Sequence, residues 1–419
     1  MPARALAGIF VWRGKPVVKW RKLVLKKKCP QVVRFNNVTR LFQVLLSALT
    51  LVSGMSVASI IIPSPPDITA KAYVLMDYNT GEVLVSHNAE ERLPPASLAK
   101  LMTSYVAEQE LQRGVISEQE TTVVSVKAWR TGGSRMFIQE GTEVSMIDLL
   151  RGIIIQSGND AAVAMAEHLA GSEEAFADVM NQTAAQLGLI NTQFKTATGL
   201  PAEGQYSSAL DMANLAAAII RDNPEYYPIY AEREFEYAGI KQNNRNRLLW
   251  QDPDVDGLKT GYTVNAGYNL VASAKNEDMR LIAVVFGTDS PALRAQETQT
   301  LLSYGFRYFK THTIQAERDV LAEARVWGGT QESVALGVAD SIVQTIYRGT
   351  EASFSTQITI DPVIKAPVLT GDQLGTLTVL KDGEELLVQP IVAKADVPAG
   401  GFFKRTWDAI KLFFWNIFN

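Results

Sequence analysis

Residues 72–85 read Ala72-Tyr73-Val74-Leu75-Met76-Asp77-Tyr78-Asn79-Thr80-Gly81-Glu82-Val83-Leu84-Val85. Two apolar runs flank an Asn-Thr-Gly corner, the pattern of strand, turn, strand. Strand-like runs return only far downstream, at Tyr268-Asn269-Leu270-Val271-Ala272-Ser273-Ala274 and Arg280-Leu281-Ile282-Ala283-Val284-Val285-Phe286. Between them, from about 97 to 220, helical periodicity dominates, as in Ala161-Ala162-Val163-Ala164-Met165-Ala166. A hairpin on either side of a helical block predicts an α/β (α+β) domain over 65–315, one antiparallel sheet covered by helices. Beyond it, short alternating segments such as Phe354-Ser355-Thr356-Gln357-Ile358-Thr359-Ile360 are separated by Pro and Gly-Asp turn signals. They predict a small all-β domain over 316–398.

The N-terminus is of another kind. Residues 1–40 carry eleven Lys/Arg and no acid, leaving 29 of the 40 basic side chains against all 44 acids in the rest, a net of −15. An acidic body argues against nucleic acid as a partner, since phosphate binding requires clustered Lys and Arg. The basic arm leads into the apolar run Leu41–Val52 and then Ser56-Val57-Ala58. Charged region, short apolar region and small-residue exit predict a secretory signal peptide over 1–58. The alternative is an uncleaved anchor, because Ile60-Ile61-Ile62 extends the apolar stretch towards the ~20 residues a span needs. Cys29 is the single cysteine, and His87, His168 and His312 are far apart. That excludes a disulfide framework or a thiolate metal cluster and argues against a histidine metal site. No metal and no cofactor are expected, and the chemistry must run without cysteine.

In Pro94-Pro95-Ala96-Ser97-Leu98-Ala99-Lys100 a Ser and a Lys stand three apart where a helix begins. Positions i and i+3 share a helix face, so the amine can reach the hydroxyl. A hydroxyl needs an adjacent base to become a nucleophile, and Lys serves if its pKa is lowered. Alone, such a pair reads as an N-cap Ser with a surface Lys. It is accompanied by Ser157-Gly158-Asn159, ahead of a small-residue helix, and by Lys259-Thr260-Gly261, ahead of the strand near Tyr268. S-x-x-K, S-x-N and K-T-G, in that order, form the signature set of penicillin-recognising serine enzymes. Within it, Ser157 can relay a proton, Asn159 can hold a substrate amide, and Lys259 supplies positive charge that would disfavour a protonated Lys100.

The resemblance extends past the motifs. Pro95-Ala96-Ser97-Leu98-Ala99-Lys100-Leu101-Met102-Thr103, Gln156-Ser157-Gly158-Asn159-Asp160-Ala161 and Val255-Asp256-Gly257-Leu258-Lys259-Thr260-Gly261-Tyr262-Thr263 resemble the low-molecular-mass penicillin-binding proteins. They are most similar to the D-alanyl-D-alanine carboxypeptidases of Gram-negative bacteria, from about Ile68 to the C-terminus. The resemblance implies a catalytic domain, a β-rich second domain and an amphipathic anchor. It implies that Ser97 attacks the bond between the last two D-alanines of a peptidoglycan stem pentapeptide, and that β-lactams acylate the same residue. By the same analogy the backbone N–H groups of Ser97 and Tyr262 hold the oxyanion, and Arg245, in Asn243-Asn244-Arg245-Asn246, lies near the substrate carboxylate. Relatives often carry His where this chain has Tyr262. An endopeptidase or a weak β-lactamase using the same site is the alternative activity. A wall-binding protein with a dead site would have lost one of these residues.

Residues 399–419 end the chain. At about 100° per residue, Phe402, Phe403, Trp407, Ile410, Phe413, Phe414, Ile417 and Phe418 share a broad arc, with Lys404, Arg405, Asp408 and Lys411 elsewhere and Leu412 and Trp415 as apolar exceptions. This predicts a helix lying on a membrane surface through residues 402–419, hence a periplasmic enzyme held peripherally on the outer face of the inner membrane. Self-association into a homo-oligomer stays open.

Overall fold

A computed structural model describes residues 63–418. The signal peptide expected over 1–58, with Cys29, lies outside the described residues. Strand β1 (Ala72–Asp77) and strand β2 (Val83–His87) form the expected hairpin. Helix α1 (Lys100–Gln112) follows, with every residue from Lys100 to Glu108 buried. The helix is buried on all sides although it carries Lys100, Thr103, Ser104 and Glu108, and burying each of Leu101, Met102 and Val106 is worth about 1.5–3 kcal/mol. Short strands β3 (Thr121–Val123) and β4 (Glu143–Ser145) pair around helix α2 (Val126–Arg130). Helices α3 (Met146–Arg151), α4 (Asn159–Ala170), α5 (Glu173–Gln186) and α6 (Ala209–Asp222) complete the helical layer. Ser172 caps α5 and Ser208 caps α6, each accepting a backbone N–H three residues on.

Strands β5 (Glu234–Tyr237) and β6 (Ile240–Asn243) make a ribbon before helix α7 (Leu248–Gln251). Strands β7 (Val255–Thr263), β8 (Gly267–Asn276) and β9 (Met279–Thr288) then close an antiparallel sheet of order β2-β1-β9-β8-β7. Successive side chains point to opposite faces. Val74, Met76, Ile282 and Val284 therefore join the core under the helical layer, while Leu75, Leu281, Ala283 and Val285 pack with Leu301 and Leu302. Those leucines belong to helix α8 (Pro291–Tyr308), capped by Ser290 with Pro291 in its first turn. Burial on both faces explains why β8 and β9 read as continuous apolar runs.

Strand β10 (Phe309–Gln315), placed by the sequence reading in the catalytic domain, pairs instead with β13 (Ile342–Tyr347) of the second domain. The rest of that domain is a six-stranded sheet of order β14-β16-β17-β12-β11-β15, built from β11 (Ala322–Trp327), β12 (Ser333–Val338), β14 (Phe354–Ile360), β15 (Ile364–Lys365), β16 (Gln373–Lys381) and β17 (Glu384–Ala393). Its core includes Val326, Leu336, Leu377, Val379 and Ile391. Asp77 links the two domains: its buried Oδ2 accepts from the hydroxyls of Thr311 and Thr345, each at 2.8 Å.

Helix α9 (Phe402–Phe418) ends the described chain. Asp408 and Leu412, one turn apart, are buried among its described side chains, and Asp408 Oδ2 accepts from the Gly328 N–H at 3.0 Å. Leu412, an exception on the sequence-drawn wheel, thus faces the protein. Phe402, Phe403, Trp407, Ile410, Phe413 and Phe414 are exposed. No helix among the described residues is long and apolar enough to cross a membrane.

Candidate active site

Ser97 sits in a 3-10 turn, Ala96–Ala99, that runs directly into α1. Ala96 holds a left-handed φ of +49°, a conformation that costs a non-glycine residue about 1–3 kcal/mol. Its surroundings hold it there. A Cβ on Gly199 would lie 1.8 Å from the Ala96 carbonyl oxygen, and one on Gly261 would lie 3.0 Å from that of Pro95. Asn269 Nδ2 donates to the carbonyls of Pro94 and Pro95 at 3.2 and 3.3 Å, while its Oδ1 accepts from the Gly287 N–H at 2.8 Å. The turn carrying Ser97 is thereby clamped to the sheet.

Lys100 is fully buried, so the surface role open to an isolated S-x-x-K lysine is ruled out. Its Nζ lies 3.2 Å from Ser97 Oγ, 2.7 Å from Asn159 Oδ1 and 2.5 Å from the Thr198 carbonyl oxygen. Burial, reinforced by the Arg245 charge, pushes its pKa down to about 7. Lys259 is the neighbouring cation that the sequence points to, and the repulsion between it and Lys100 is mutual. Lys259 is itself buried, and burial together with Lys100, Arg245 and Arg294 drives its pKa well down. An anion entering the cleft would favour its charged form.

Ser157 closes a π-turn, Gly152–Gln156, in a left-handed conformation at φ +64°. Its Oγ is buried and has no hydrogen-bond partner among the described residues. Asn159 opens α4, accepting from Lys100 and donating to the Gly132 carbonyl oxygen at 2.6 Å. Next to it, the Asp160 carboxylate accepts the N–H groups of Met136 and Phe137, each at 2.8 Å. This fixes the loop carrying Ser134, whose Oγ accepts from Arg245 Nη1 at 2.7 Å. Ser97, Ser157, Asn159, Arg245, Thr260, Gly261 and Tyr262 line one cleft of about 510 Å³, with Lys100 and Lys259 buried nearby. All nine residues singled out in the sequence therefore converge.

The family model described as D-alanyl-D-alanine carboxypeptidase matches residues 60–290. The chain belongs to this family. A second model, penicillin-binding protein 5 C-terminal domain, matches residues 309–399, beginning where β10 begins. Among curated relatives of this carboxypeptidase family, D-alanyl-D-alanine carboxypeptidase DacC of Escherichia coli is 44% identical, covering 84% of this chain and 90% of its own. DacA of the same organism is 43% identical, covering 85% and 91%. The solved structure of penicillin binding protein 5 from Haemophilus influenzae superposes with a TM-score of 0.71 at 42% identity, covering 80% of this chain and 99% of that one. Penicillin-binding protein D2 from Listeria monocytogenes, in its ampicillin-bound form, gives 0.54 at 28% identity, covering 58% and 100%.

Thr198, Ser134 and Arg294 are among the residues in or beside this family member's cleft that the sequence reading does not single out. Thr198 contributes only a backbone carbonyl. Ser134 lies in a loop without a motif, and Arg294 sits on α8, where an isolated arginine reads as solvated. Arg294 is nonetheless 7% exposed and lines the cleft beside Tyr268.

Proposed function

We propose that the protein is a serine D-alanyl-D-alanine carboxypeptidase acting on peptidoglycan stem peptides through an acyl-enzyme on Ser97. The observation that carries this reading is the contact of Lys100 Nζ with Ser97 Oγ at 3.2 Å, made by an amine whose pKa is about 7. Near neutrality a large share of Lys100 is unprotonated and able to take the Ser97 proton. Ser97 Oγ then attacks the carbonyl between the last two D-alanines, and the oxyanion is held by the backbone N–H groups of Ser97 and Tyr262. The proton passes by way of Ser157 Oγ, free of other bonds, to the leaving amine. D-alanine departs, and water, giving its proton back along the same path, hydrolyses the ester. Asn159 and the β7 strand around Thr260 hold the peptide, while Arg245 and Lys259 attract its terminal carboxylate. β-Lactams enter the same path and acylate Ser97.

Export by residues 1–58 and attachment to the outer face of the inner membrane by 402–419 complete the reading. The exposed aromatic face of α9 supports the attachment, being apolar area of the kind that buries in an interface. The test is release of D-alanine from a peptide ending Lys-D-Ala-D-Ala. The wild type is expected to release it stoichiometrically and Ser97→Ala not at all; release by Ser97→Ala at the wild-type rate would overturn the mechanism.

A further inference from the structure

The cleft contains an aromatic pair that neither the nucleophile nor the proton path uses. Tyr262 and Tyr268 lie directly opposite each other on the β7–β8 ladder. Their rings stack with centroids 4.3 Å apart and planes 24° apart. Tyr262 remains 51% exposed, so one strand neighbour locks the ring while much of its surface faces solvent. The Arg294 guanidinium lies 5.8 Å from the centre of the Tyr268 ring. Among the described residues that guanidinium is poorly satisfied: Nε has no partner, and Nη1 makes only long contacts, 3.5 and 3.4 Å, to the carbonyls of Gly261 and Asn269. Arg245 and Arg294 line the same cleft and together form a cationic end.

A peptide cut next to its C-terminus carries its terminal carboxylate on the leaving residue. An anion is drawn to the arginine end, and the residue that bears it is then set beside the tyrosine pair. A methyl side chain covers little of such a ring, whereas a larger apolar one would. A ring already held in place offers that area with little further ordering cost. Resting on the carboxypeptidase reading, we propose that the Tyr262 side chain is a specificity determinant for the leaving residue, seating terminal D-amino acids with aromatic or large aliphatic side chains as well as D-alanine.

The experiment compares kcat/KM for peptides that share one acyl portion and end in D-Ala-D-Ala, D-Ala-D-Leu or D-Ala-D-Phe, read as the amino acid released. The quantity read is the ratio of the D-Phe to the D-Ala substrate, which any general loss of activity leaves unmoved. The wild type is expected to cleave all three, and Tyr262→Phe to keep the ratio. Tyr262→Ala should lower it by about three- to tenfold, the usual size of an aromatic contact, with the change mainly in KM. Tyr262→His, with a smaller ring, should fall between them and serves if the Ala variant does not fold. An unchanged ratio in both Tyr262→Ala and Tyr262→His overturns the inference, as does a wild type that cleaves D-Ala-D-Ala but not D-Ala-D-Phe. Failure to cleave D-Ala-D-Ala at all would sink the carboxypeptidase reading itself, and this inference with it.

Discussion

Acylation should depend on pH through Lys100, and the structure sets where. The amine is fully buried, touches Ser97 Oγ, and has its pKa lowered to about 7 by burial first and by Arg245 second. Only the neutral amine accepts a proton, so activity belongs to the high-pH side. About a tenth of Lys100 is neutral one unit below its pKa and about nine tenths one unit above. The second-order acylation rate with a fluorescent penicillin, followed by stopped flow from pH 5.5 to 9, should rise about tenfold between pH 6 and 8 and then level. Arg245→Gln removes a cation that opposes the protonated form and should move the midpoint to higher pH, whatever it does to affinity. In Lys100→Arg the guanidinium stays protonated at every accessible pH, and acylation should fall by about 10²–10⁴-fold, the usual contribution of a general base. A flat or falling profile, or an Arg245→Gln midpoint displaced downwards, would refute Lys100 as the base.

Ser157 Oγ makes no hydrogen bond to the described residues, so Ser157→Ala should leave the thermal midpoint within about 2 °C while slowing acylation by about 10²-fold; differential scanning fluorimetry and the penicillin assay measure the two. Gly199→Ala drives a Cβ into the Ala96 carbonyl oxygen, displacing the turn that holds Ser97. Displacement by about an ångström costs on the order of 100-fold, which the same acylation assay reads. With residues 1–58 absent, deletion of 402–419 should free the protein from vesicles of anionic phospholipid and leave penicillin acylation intact; sedimentation of the shortened protein with the vesicles would place the attachment elsewhere.

The outer hairpin and the helical block were legible in the sequence because their apolar periodicities are strong and local. The strand carrying Lys259 was not. Val255–Thr263 contains Gly257, Lys259 and Gly261, and two glycines with a buried lysine break the alternation by which a strand is read. Pairing with β8 makes it a strand despite its composition. The residues that converge on the cleft were readable since three short motifs carry nearly all of them. Arg294 gives no local signal, because its burial depends on the approach of α8 to β7 and β8. The part of the Lys100 shift that Arg245 adds to burial was equally hidden. Sequence order puts Lys259 in the site, but only the folded loops bring Arg245 against Ser134 and within reach of Lys100. The pairing of β10 was not legible because β10 continues directly from α8, and its partner β13 lies some thirty residues further along the chain.

The nucleophile itself is tested most directly by peptide-mapping mass spectrometry on protein quenched after reaction with benzylpenicillin. The expected result is a single stoichiometric adduct on the peptide containing Ser97, absent from Ser97→Ala. A stoichiometric adduct on any other residue, Ser157 included, or an undiminished adduct in Ser97→Ala, would contradict the account.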